Sequence, residues 1–304
     1  MNYLSKIKAN PLIIFAKLWE SCTHLIKDDK LFLSVDFFLR MGYRLNWNNP
    51  LSYSEKLQWL KLYDRNPLYT KLVDKYAVKE FVAEKIGIEH IIPTLGVYNT
   101  FDEIVFDNLP NQFVLKTTHD SGTIIICKDK SKFDYKQAKI KLERSLKVNF
   151  YNEKREWPYK NVPPRILAEQ YMVDESGSEL KDYKIFCFNG RPQIMFIATD
   201  RPHDTRFDFY DMNFNHLPFI NGHPNADRVL YKPKGFDEMQ RIAKLLSFDI
   251  PQVRIDLYDI NGTIYFGEMT FFHWSGLQPF YPRDWDYKLG EMIDLPIKSV
   301  SVPK

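Results

Sequence analysis

The chain has 304 residues, of which 42 are Lys or Arg and 39 are Asp or Glu, for a net charge of +3. This balance argues against a nucleic-acid partner, which would call for a concentrated basic surface. The three cysteines are odd in number and lack metal-ligand spacing, so we expect a reduced chain in the cytoplasm. The length is enough to bury a sizeable core in two or three lobes.

The N-terminal part, residues 1–48, mixes lysines with large apolar side chains and is expected to be a helical extension. Its apolar run, NPLIIFAKLW, is far too short to span a membrane. A helix through residues 11–26 would place four side chains on one face: Phe15, Leu18, Trp19 and Cys22. We expect that face to pack on the main body. The alternative is a peripheral contact with the inner face of the cytoplasmic membrane, where Trp and Lys are favoured.

Periodicity predicts the regular elements of the rest of the chain. Helices are expected over 49–66, 69–87, 133–149 and 236–248. Ser52 or Ser54 would cap the first of them. Strands are expected in the segments IIPTLGVY, FVLKTTH, IIICKD, ILAEQYM, YKIFCFNG, QIMFIATD and FDFYDM. The Pro-rich segment WPYKNVPPR predicts a boundary between two lobes, 49–164 and 165–304, and the expected class is α+β with antiparallel sheets.

The segment FVLKTTHDSGTIIIC joins two predicted strands through a loop of small and hydroxyl residues. Such a loop bends over phosphates and donates backbone N–H groups to them. Lys116, at the end of the first strand, would add a cation to the anion site. An ordinary hairpin with a small-residue turn is the alternative explanation.

Two charged residues, Glu169 and Lys184, interrupt the apolar strands that come after the Pro-rich segment. An acid that accepts hydrogen bonds and a lysine that meets phosphate would suit the edge of a nucleotide site. The alternative is a surface ion pair between two strands, which contributes little to stability.

Two carboxylates, Asp256 and Glu268, interrupt the apolar segment RIDLYDINGTIYFGEMTF, whose Asn-Gly pair is typical of a hairpin turn. A turn there places Asp256 opposite about position 267, beside Glu268. Carboxylates this close repel unless a cation or a proton lies between them. Mg²⁺ is held by one or two carboxylates plus substrate phosphates, which fits this pair. The alternative turns one carboxylate to solvent on each strand.

Other polar residues near these strands are candidates for binding a substrate. Arg254 shares a strand face with Asp256 and would hold an acyl phosphate. Further candidates are Arg201, His203 and Arg206, which would grip an acidic group, and His273 and Ser275, which would line an acceptor pocket. Solvated loops are the alternative for both groups. The sequence has neither the G-x-S-x-G pattern of hydrolases nor the glycine pattern of Rossmann folds.

Along the chain, the predicted phosphate loop with its lysine comes first, the predicted edge of a nucleotide site comes second, and the two carboxylates predicted to bind a metal come third. This order resembles the ATP-grasp superfamily, and specifically its TupA-like branch, which is found in bacterial capsule and teichuronopeptide loci. The resemblance covers roughly residues 49–290. It is carried by SEKLQWLKLYDRNPLYTKLVDKYAVKEFV, LPNQFVLKTTHDSG, IICKDKSK, RILAEQYM, DYKIFCFNG, VRIDLY, IYFGEMTF and the residues around PFYPRDWDYKLGE. Because so many segments match in the same order, the resemblance is specific to this family.

The resemblance implies an ATP-grasp fold, in which two α+β lobes with antiparallel sheets grip ATP. The residues it implies for ATP are Lys116, His119, Ser121, Gly122, Glu169, Tyr171, Met172, Asp174 or Glu175, and Lys184. Those it implies for Mg²⁺ are Asp256, Glu268 and Thr270. Arg254 and Lys184 would be the catalytic residues.

Two positions depart from the family pattern. Asp120 and Thr123 occupy glycine positions of an H-G-S-G-G loop. The charge of Asp120 would oppose phosphate binding unless the carboxylate turns away or meets a metal. Thr270 stands where many members place Asn, and its hydroxyl can still ligate Mg²⁺.

The reaction implied by the resemblance is ATP-dependent ligation of a carboxylate to an amine through an acyl phosphate. The acid would be a component of a surface polysaccharide. Carboxylates are poor electrophiles at neutral pH, so joining one to an amine needs activation. Three alternatives stay open: a glycosyltransferase, as the branch is often labelled, a sugar kinase, and an inactive nucleotide-binding module, which Asp120 and Thr270 suggest.

Overall fold

The computed structural model describes residues 10–174, 180–201 and 203–296. The helices are α1 Ile13–Cys22, α2 Asp29–Met41, α3 Tyr53–Tyr63, α4 Leu68–Val73, α5 Val78–Ile86, α6 Tyr135–Leu146, α7 Tyr151–Lys154, α8 Phe236–Leu246 and α9 Asp284–Glu291. The strands are β1 Thr94–Tyr98, β2 Phe113–Thr117, β3 Ile124–Cys127, β4 Ile166–Gln170, β5 Asp182–Phe188, β6 Arg191–Thr199, β7 Arg206–Asp211, β8 His216–Leu217, β9 Ile220–Asn221, β10 Gln252–Ile260, β11 Thr263–Thr270 and β12 Phe280–Tyr281. The predicted α+β class with antiparallel sheets is confirmed.

The larger sheet has six antiparallel strands in the order β11-β10-β5-β6-β7-β8. One face packs on α8, where Cys187 of β5 contacts the carbonyl group of Ala243. On the other face Tyr53 of α3 packs edge-on against Phe186 of β5, with 6.2 Å between the ring centroids. The main hydrophobic core therefore lies on both faces of this sheet.

The smaller sheet has four antiparallel strands in the order β1-β4-β2-β3, and α6 covers the core on one of its faces. Strand β4 pairs with both β1 and β2, so the predicted boundary after residue 164 separates β4 from its own sheet. The Pro-rich segment links α7 to β4 and does not divide the lobes. Helices α3 and α5, which precede this sheet in the chain, belong to the core of the six-stranded sheet. The lobes are therefore not consecutive stretches of sequence.

The single helix predicted over 69–87 is two helices in the structure. Helix α4 ends just before Asp74, and α5 begins after it, at Val78. The buried carboxylate of Asp74 accepts hydrogen bonds from the backbone N–H groups of Tyr76 and Ala77, at 2.9 and 3.1 Å. It also pairs with Arg165 at 2.7 Å. The single-helix prediction is wrong because this side chain caps backbone groups that a continuous helix would use, and apolar spacing does not reveal a cap.

Helix α1 packs on α2 through a side that overlaps the predicted face at Trp19. Ala16 is buried, and Trp19 packs on Phe32 with 5.6 Å between the ring centroids. Three residues of the predicted packing face are exposed: Phe15, Leu18 and Cys22. The predicted face is wrong because apolar residues occupy both sides of this helix, so their spacing selects neither. Within the described ranges, no helix has the length and apolar character needed to cross a membrane.

Helix α3 is fastened at its start to α9. Ser52 is the cap and forms a capping box with Glu55. Ser54, the other predicted cap, instead donates its hydroxyl to the buried carboxylate of Asp286 in α9 at 2.9 Å. The contact between the two helices is close enough that a Cβ at Gly290 of α9 would collide with the backbone just before α3.

Replacing Gly290 by Ala is expected to lower the free energy of unfolding by about 1–3 kcal/mol, as overpacking does. The added methyl group would collide with the carbonyl oxygen of Leu51 and lie 2.8 Å from the backbone nitrogen of Tyr53. Chemical denaturation measures the change. Lys288→Ala, at an exposed position of the same helix, is the control. A Gly290→Ala variant as stable as this control would contradict the close approach.

Candidate functional site

Strand β10 has an apolar face and a charged face. The side chains towards α8 are fully buried: Val253, Ile255 and Leu257. Arg254 and Asp256 are also buried but lie on the opposite face, because successive side chains of a strand point to opposite sides. Lys184 of β5 and Glu268 of β11 pair in register with Asp256 and share that face. The carboxylates interrupt apolar strands because, in this part of the sheet, the apolar side chains of β10 lie on the face towards α8 and the charged ones lie on the other face.

Asp256 and Glu268 are direct cross-strand neighbours. The prediction placed Asp256 opposite position 267, because it counted evenly back from the turn. A β-bulge after Asp256 takes up Gly267 as an extra residue and restores pairing at Leu257 and Phe266. A Cβ at Gly267 would lie 3.0 Å from the carbonyl oxygen of Asp256, so glycine suits the bulge.

Two cations hold the carboxylate of Asp256. Arg254 donates to both of its oxygens, from Nε to Oδ1 at 2.6 Å and from Nη2 to Oδ2 at 2.7 Å. Lys184 forms an ion pair with Oδ2. Arg254 Nη2 also donates to Thr270 Oγ1 at 3.0 Å and lies 3.5 Å from Glu268 Oε1. The three predicted metal-binding residues and the two predicted catalytic residues therefore form one cluster.

His273 positions Arg254 from behind. Arg254 Nη1 donates to His273 Nδ1 at 2.6 Å, and His273 Nε2 donates to Asn221 Oδ1 at 2.9 Å. Burial, together with the charges of Arg254 and Lys184, lowers the pKa of His273 well below its ordinary value, so the ring is neutral. His273 was predicted to line an acceptor pocket, but its ring is buried and supports the arginine instead.

Lys116 and Glu169 meet on one face of the smaller sheet. Strands β2 and β4 pair Val114 with Glu169, which puts Lys116 on the same face as the acid. Lys116 Nζ lies 2.7 Å from Glu169 Oε2, and Lys79 Nζ of α5, which was not predicted, lies 2.5 Å from Oε1. Although burial raises it, the two lysines hold the pKa of Glu169 below its ordinary value. Glu169 is thus a buried carboxylate between two cations and not half of a surface ion pair.

A cavity of about 620 Å³ opens between the two sheets. Its walls include Val114, Lys116, Ile126 and Glu169 from the smaller sheet, Gln170, Tyr171 and Met172 after β4, and Arg201 and Tyr258 from the larger sheet. Apolar walls with a few charged groups, at this size, are typical of small-molecule sites. Arg201 pairs with Asp182, which also lies 3.5 Å from Lys184 Nζ, so a chain of ion pairs joins the cavity wall to the Asp256 cluster.

The carboxylate of Asp120 is turned into the protein. It accepts hydrogen bonds from Thr117 Oγ1 and Ser145 Oγ, both at 2.6 Å, and lies 3.6 Å from Lys75 Nζ. Although burial raises it, Lys75 and the two hydroxyl groups lower the pKa of Asp120 below its ordinary value. The neighbours of Asp120 therefore neutralise its negative charge, and the carboxylate does not point outward from the loop.

The rest of the loop has a buried start and an exposed tip. His119 is buried, and its Nε2 donates to the carbonyl groups of Ser145 and Val148 at 3.1 and 3.2 Å. Its ring therefore anchors the loop to the end of α6. Ser121 and Gly122 are exposed at the tip, where Gly122 has a φ of 94°. The tip is therefore the part of the loop that faces solvent.

Lys75, between α4 and α5, is a cation of the site that the sequence reasoning missed. Its Nζ donates to the carbonyl groups of Thr117, at 3.0 Å, and of Asp120. Although burial raises it, Lys184, Lys75 and Arg254 hold the pKa of Glu268 below its ordinary value. Lys75 therefore anchors the start of the loop and also contributes positive charge at Glu268. Asp74 is the signal that would have placed Lys75 in a break between helices, since Asp is a preferred cap.

Ser275 belongs to a buried support and not to an open pocket. Lys61 Nζ donates to Ser275 Oγ at 2.7 Å and to its carbonyl oxygen at 2.8 Å. Burial lowers the pKa of Lys61 to about 8. Trp274 and Ser275 both have positive φ, 49° and 58°, in the turn that begins at His273. Lys61 thus fixes the turn that carries the histidine behind Arg254.

The structure does not gather the predicted arginine cluster on one anion. Arg201 lies in the cavity wall, whereas Arg206 donates to Asp204 Oδ2 at 2.8 Å and to the carbonyl group of Asn225 at 3.2 Å. His203 is exposed. Asp174 comes directly after Val173 of the cavity wall. Glu175, the alternative to Asp174, lies outside the described residues.

Comparison with known proteins identifies a matching family. The family model described as TupA-like ATPgrasp matches residues 55–294. No curated protein matches the sequence.

Three solved structures illustrate the similarity in fold. The D-alanine–D-alanine ligase of Bacillus anthracis, complexed with ATP, has 14% identity and a TM-score of 0.39 over 66% of this chain and 53% of its own. The corresponding ligase of Helicobacter pylori has 14% identity and a TM-score of 0.43, over 80% and 67%. The ATP-grasp ligase PsnB, complexed with minimal precursor, Mg and ADP, has 11% identity and a TM-score of 0.37, over 71% and 57%. The chain spans 53% to 67% of the length of these three structures.

His273 is expected to stay neutral, as the Nε2–H tautomer, below the ordinary histidine pKa of about 6.5 as well as above it, because burial and two cations disfavour its proton. The unfolded chain takes up that proton near pH 6.5, so this residue lowers the free energy of unfolding as the pH falls below about 6.5. Nitrogen-15 NMR of the ring measures the tautomer, with His273→Gln to assign the signal. An imidazolium spectrum at about pH 6 would contradict the assignment.

Proposed function

The chain belongs to the TupA-like ATP-grasp family, and on this premise we propose that it is an ATP- and Mg²⁺-dependent ligase that joins a carboxylate to an amine. The observation that carries the proposal is the continuity of two charged groups. One is the Lys116–Glu169 pair at the cavity, and the other is the Arg254–Asp256–Glu268 cluster beside it. A nucleotide held at the first would extend its phosphates towards the second.

The cavity fits the nucleotide of ATP in size and chemistry. Val114, Ile126 and Met172 supply apolar surface for a base, and the segment after β4 supplies backbone groups for its polar edge. Lys116 is placed for a phosphate, and the exposed tip at Ser121–Gly122 would close over it. Lys75 and Lys184 extend the row of cations towards Glu268. Lysines that contact carboxylates in this structure would therefore contact the phosphate groups of ATP instead.

Asp256 and Glu268 fit Mg²⁺, because they are neighbouring carboxylates on one face of the larger sheet. Thr270 adds a hydroxyl oxygen beside them. Two carboxylates are enough when substrate phosphates and water complete the octahedral shell. When bound, ATP and Mg²⁺ would supply an activated γ-phosphoryl group. The substrate's carboxylate would take this group and release ADP, and an amine would then attack the acyl phosphate, release inorganic phosphate and lose a proton to form the amide.

The protein's own residues would orient the acid and stabilise charge. Arg254 stays cationic and is aimed by neutral His273, so its guanidinium would hold the acid's carboxylate or the charge that develops on it. Lys184, also in contact with Asp256, would neutralise charge on the transferring phosphate. Because the site is walled by two sheets, water is partly excluded from the reacting groups.

The proposed acid is a uronic acid or similar component of a surface polysaccharide, and the proposed compartment is the cytoplasm. Membership of the TupA-like branch supports this setting, and no residue of the site specifies the sugar.

Product analysis tests the proposal. The protein is incubated with ATP, Mg²⁺ and panels of uronic acids and amines, and ADP, phosphate and the amide are followed. Amide formation that needs acid and amine together is the expected result. UDP release from UDP-sugars would favour a glycosyltransferase, and ADP with a phosphorylated sugar would favour a kinase. ATP binding without turnover on any panel would favour an inactive module.

Replacing Glu268 by Gln is expected to reduce turnover by at least about 100-fold, because metal charge stabilisation is worth several kcal/mol. Asp256→Asn should have the same effect on turnover, and it also leaves two cations without their carboxylate. Glu238→Gln, which removes an exposed carboxylate on α8, is the control. Initial rates at saturating Mg²⁺ measure the effect. Turnover of Glu268→Gln at the rate of the control would exclude the metal role.

Lys116→Ala and Lys184→Ala are each expected to weaken ATP binding by one to two orders of magnitude, because each removes a charge-assisted contact worth about 1.5–3 kcal/mol. Calorimetric titration with ATP and Mg²⁺ measures the affinity. Lys139→Ala on α6, which removes an exposed lysine paired with Asp102, is the matched control. If both variants bind ATP as tightly as this control, the nucleotide site is assigned wrongly.

A further inference from the structure

Helix α1 is apolar on all sides, although it lies at the surface. Its sequence, IIFAKLWESC, has two charged residues, Lys17 and Glu20. A surface helix of a soluble domain normally carries a polar outer face, and a helix that is apolar all round is normally covered on all sides. One side of α1 is covered by α2. The other side is uncovered in the part of the chain that the structure describes.

The uncovered side forms one continuous strip, here called the N-terminal apolar face. It consists of Ile14, Phe15 and Leu18 of α1 and Leu25 of the next turn, which are 48%, 55%, 66% and 68% exposed. Their spacing places them on one side of a helix. Large apolar side chains that lie together in water mark an interaction surface more often than scattered ones do.

The orientation of α1 is fixed by contacts at both ends. The Asn10 side chain donates to the carbonyl groups of Leu39 and Arg40 in α2, at 2.9 and 3.1 Å. Near the other end Arg40 Nη2 donates to Glu20 Oε1 at 2.6 Å. With Ala16 and Trp19 between these contacts, the helix cannot turn the N-terminal apolar face inward without breaking them.

Lysines and acidic residues both lie around this face. Three lysines flank it at exposed positions: Lys17, Lys27 and Lys30. The nearby acids have other partners, since Glu20 pairs with Arg40, Asp28 caps α2 and Asp29 pairs with Arg155. The sequence before Asn10 contains two more lysines and no acidic residue, although these lie outside the described residues.

We propose that the N-terminal apolar face inserts into the headgroup region of an anionic lipid surface, with the flanking lysines on the lipid phosphates. Apolar side chains beside lysines are the combination that holds an interfacial helix at such a surface. A second copy of the chain fits less well. A helix of ten residues is about 15 Å long, so it offers a small part of the roughly 800 Å² per partner that a stable dimer buries.

The attachment is weak and reversible, because one short helix anchors a protein only loosely. It would place a cytoplasmic protein next to lipid-linked molecules without a membrane span. The proposal does not depend on the proposed ligase reaction.

Flotation of the full chain with lipid vesicles tests the proposal. The full chain is expected to float with vesicles of phosphatidylcholine and phosphatidylglycerol in equal parts, and not with phosphatidylcholine alone. The double variant Phe15→Glu, Leu18→Glu should reduce partitioning by about tenfold or more, because it replaces two of the inserted apolar side chains with charged ones. Since both side chains are exposed, the thermal unfolding of the variant should match that of the unchanged protein.

Phe248→Glu is the matched control, since Phe248 is an aromatic residue 80% exposed on the main body. Partitioning of this variant should equal that of the unchanged protein. Failure of the unchanged protein to float, equal flotation on neutral vesicles, or undiminished flotation of the double variant would each overturn the proposal. A dimer in light scattering that the double variant loses would overturn it in favour of a second copy.

Discussion

The carboxylate of Asp256 is buried in the larger sheet, and Arg254 and Lys184 neutralise it from the same face. A buried carboxylate without such partners costs several kcal/mol, so the three residues have to come together as the sheet forms. This requirement couples the register of β10 with β5, where Lys184 lies, to the register with β11, where Glu268 lies. The bulge at Gly267 is what lets both registers hold at once. The position of the site is thus part of the pairing of the strands.

The same pairing of buried carboxylates with lysines is found across the cavity, in the smaller sheet. Lys75 pairs with Asp120, Lys116 and Lys79 pair with Glu169, and Lys184 pairs with Asp256. In the proposed reaction these lysines would be held in place before a phosphate binds, which would lower the entropy lost on binding. The phosphate would also have to displace their carboxylate partners, which would limit the affinity. Both effects would suit a site that releases its product after each turnover.

The sequence alone was enough to predict features that depend on residues close together in the chain. The hairpin of β10 and β11 is predictable from its Asn-Gly turn and alternation, and the side of the strand that carries Arg254 and Asp256 is predictable from the two-residue period. The charged residues at strand ends were recognisable because charges in apolar strands are costly. Features that depend on one added residue or on a cap were not recognisable in this way. The bulge at Gly267 changes the pairing of β11 and the helix break at Asp74 changes the direction of the chain, and neither alters the apolar pattern.

Contacts between distant parts of the chain decide the rest. His273 and Ser275 stand next to the strand that carries Glu268, and their types suggest direct contact with a substrate. Their partners, Asn221 and Lys61, come from elements far away in the chain, and these partners turn both residues into supports. The neutral state of His273 matters here, because a protonated ring would repel Arg254 and could not accept its hydrogen bond. Burial of the imidazole is therefore what keeps the guanidinium aimed at Asp256, and a buried, ordinary-looking histidine helps to set the geometry of the charged cluster.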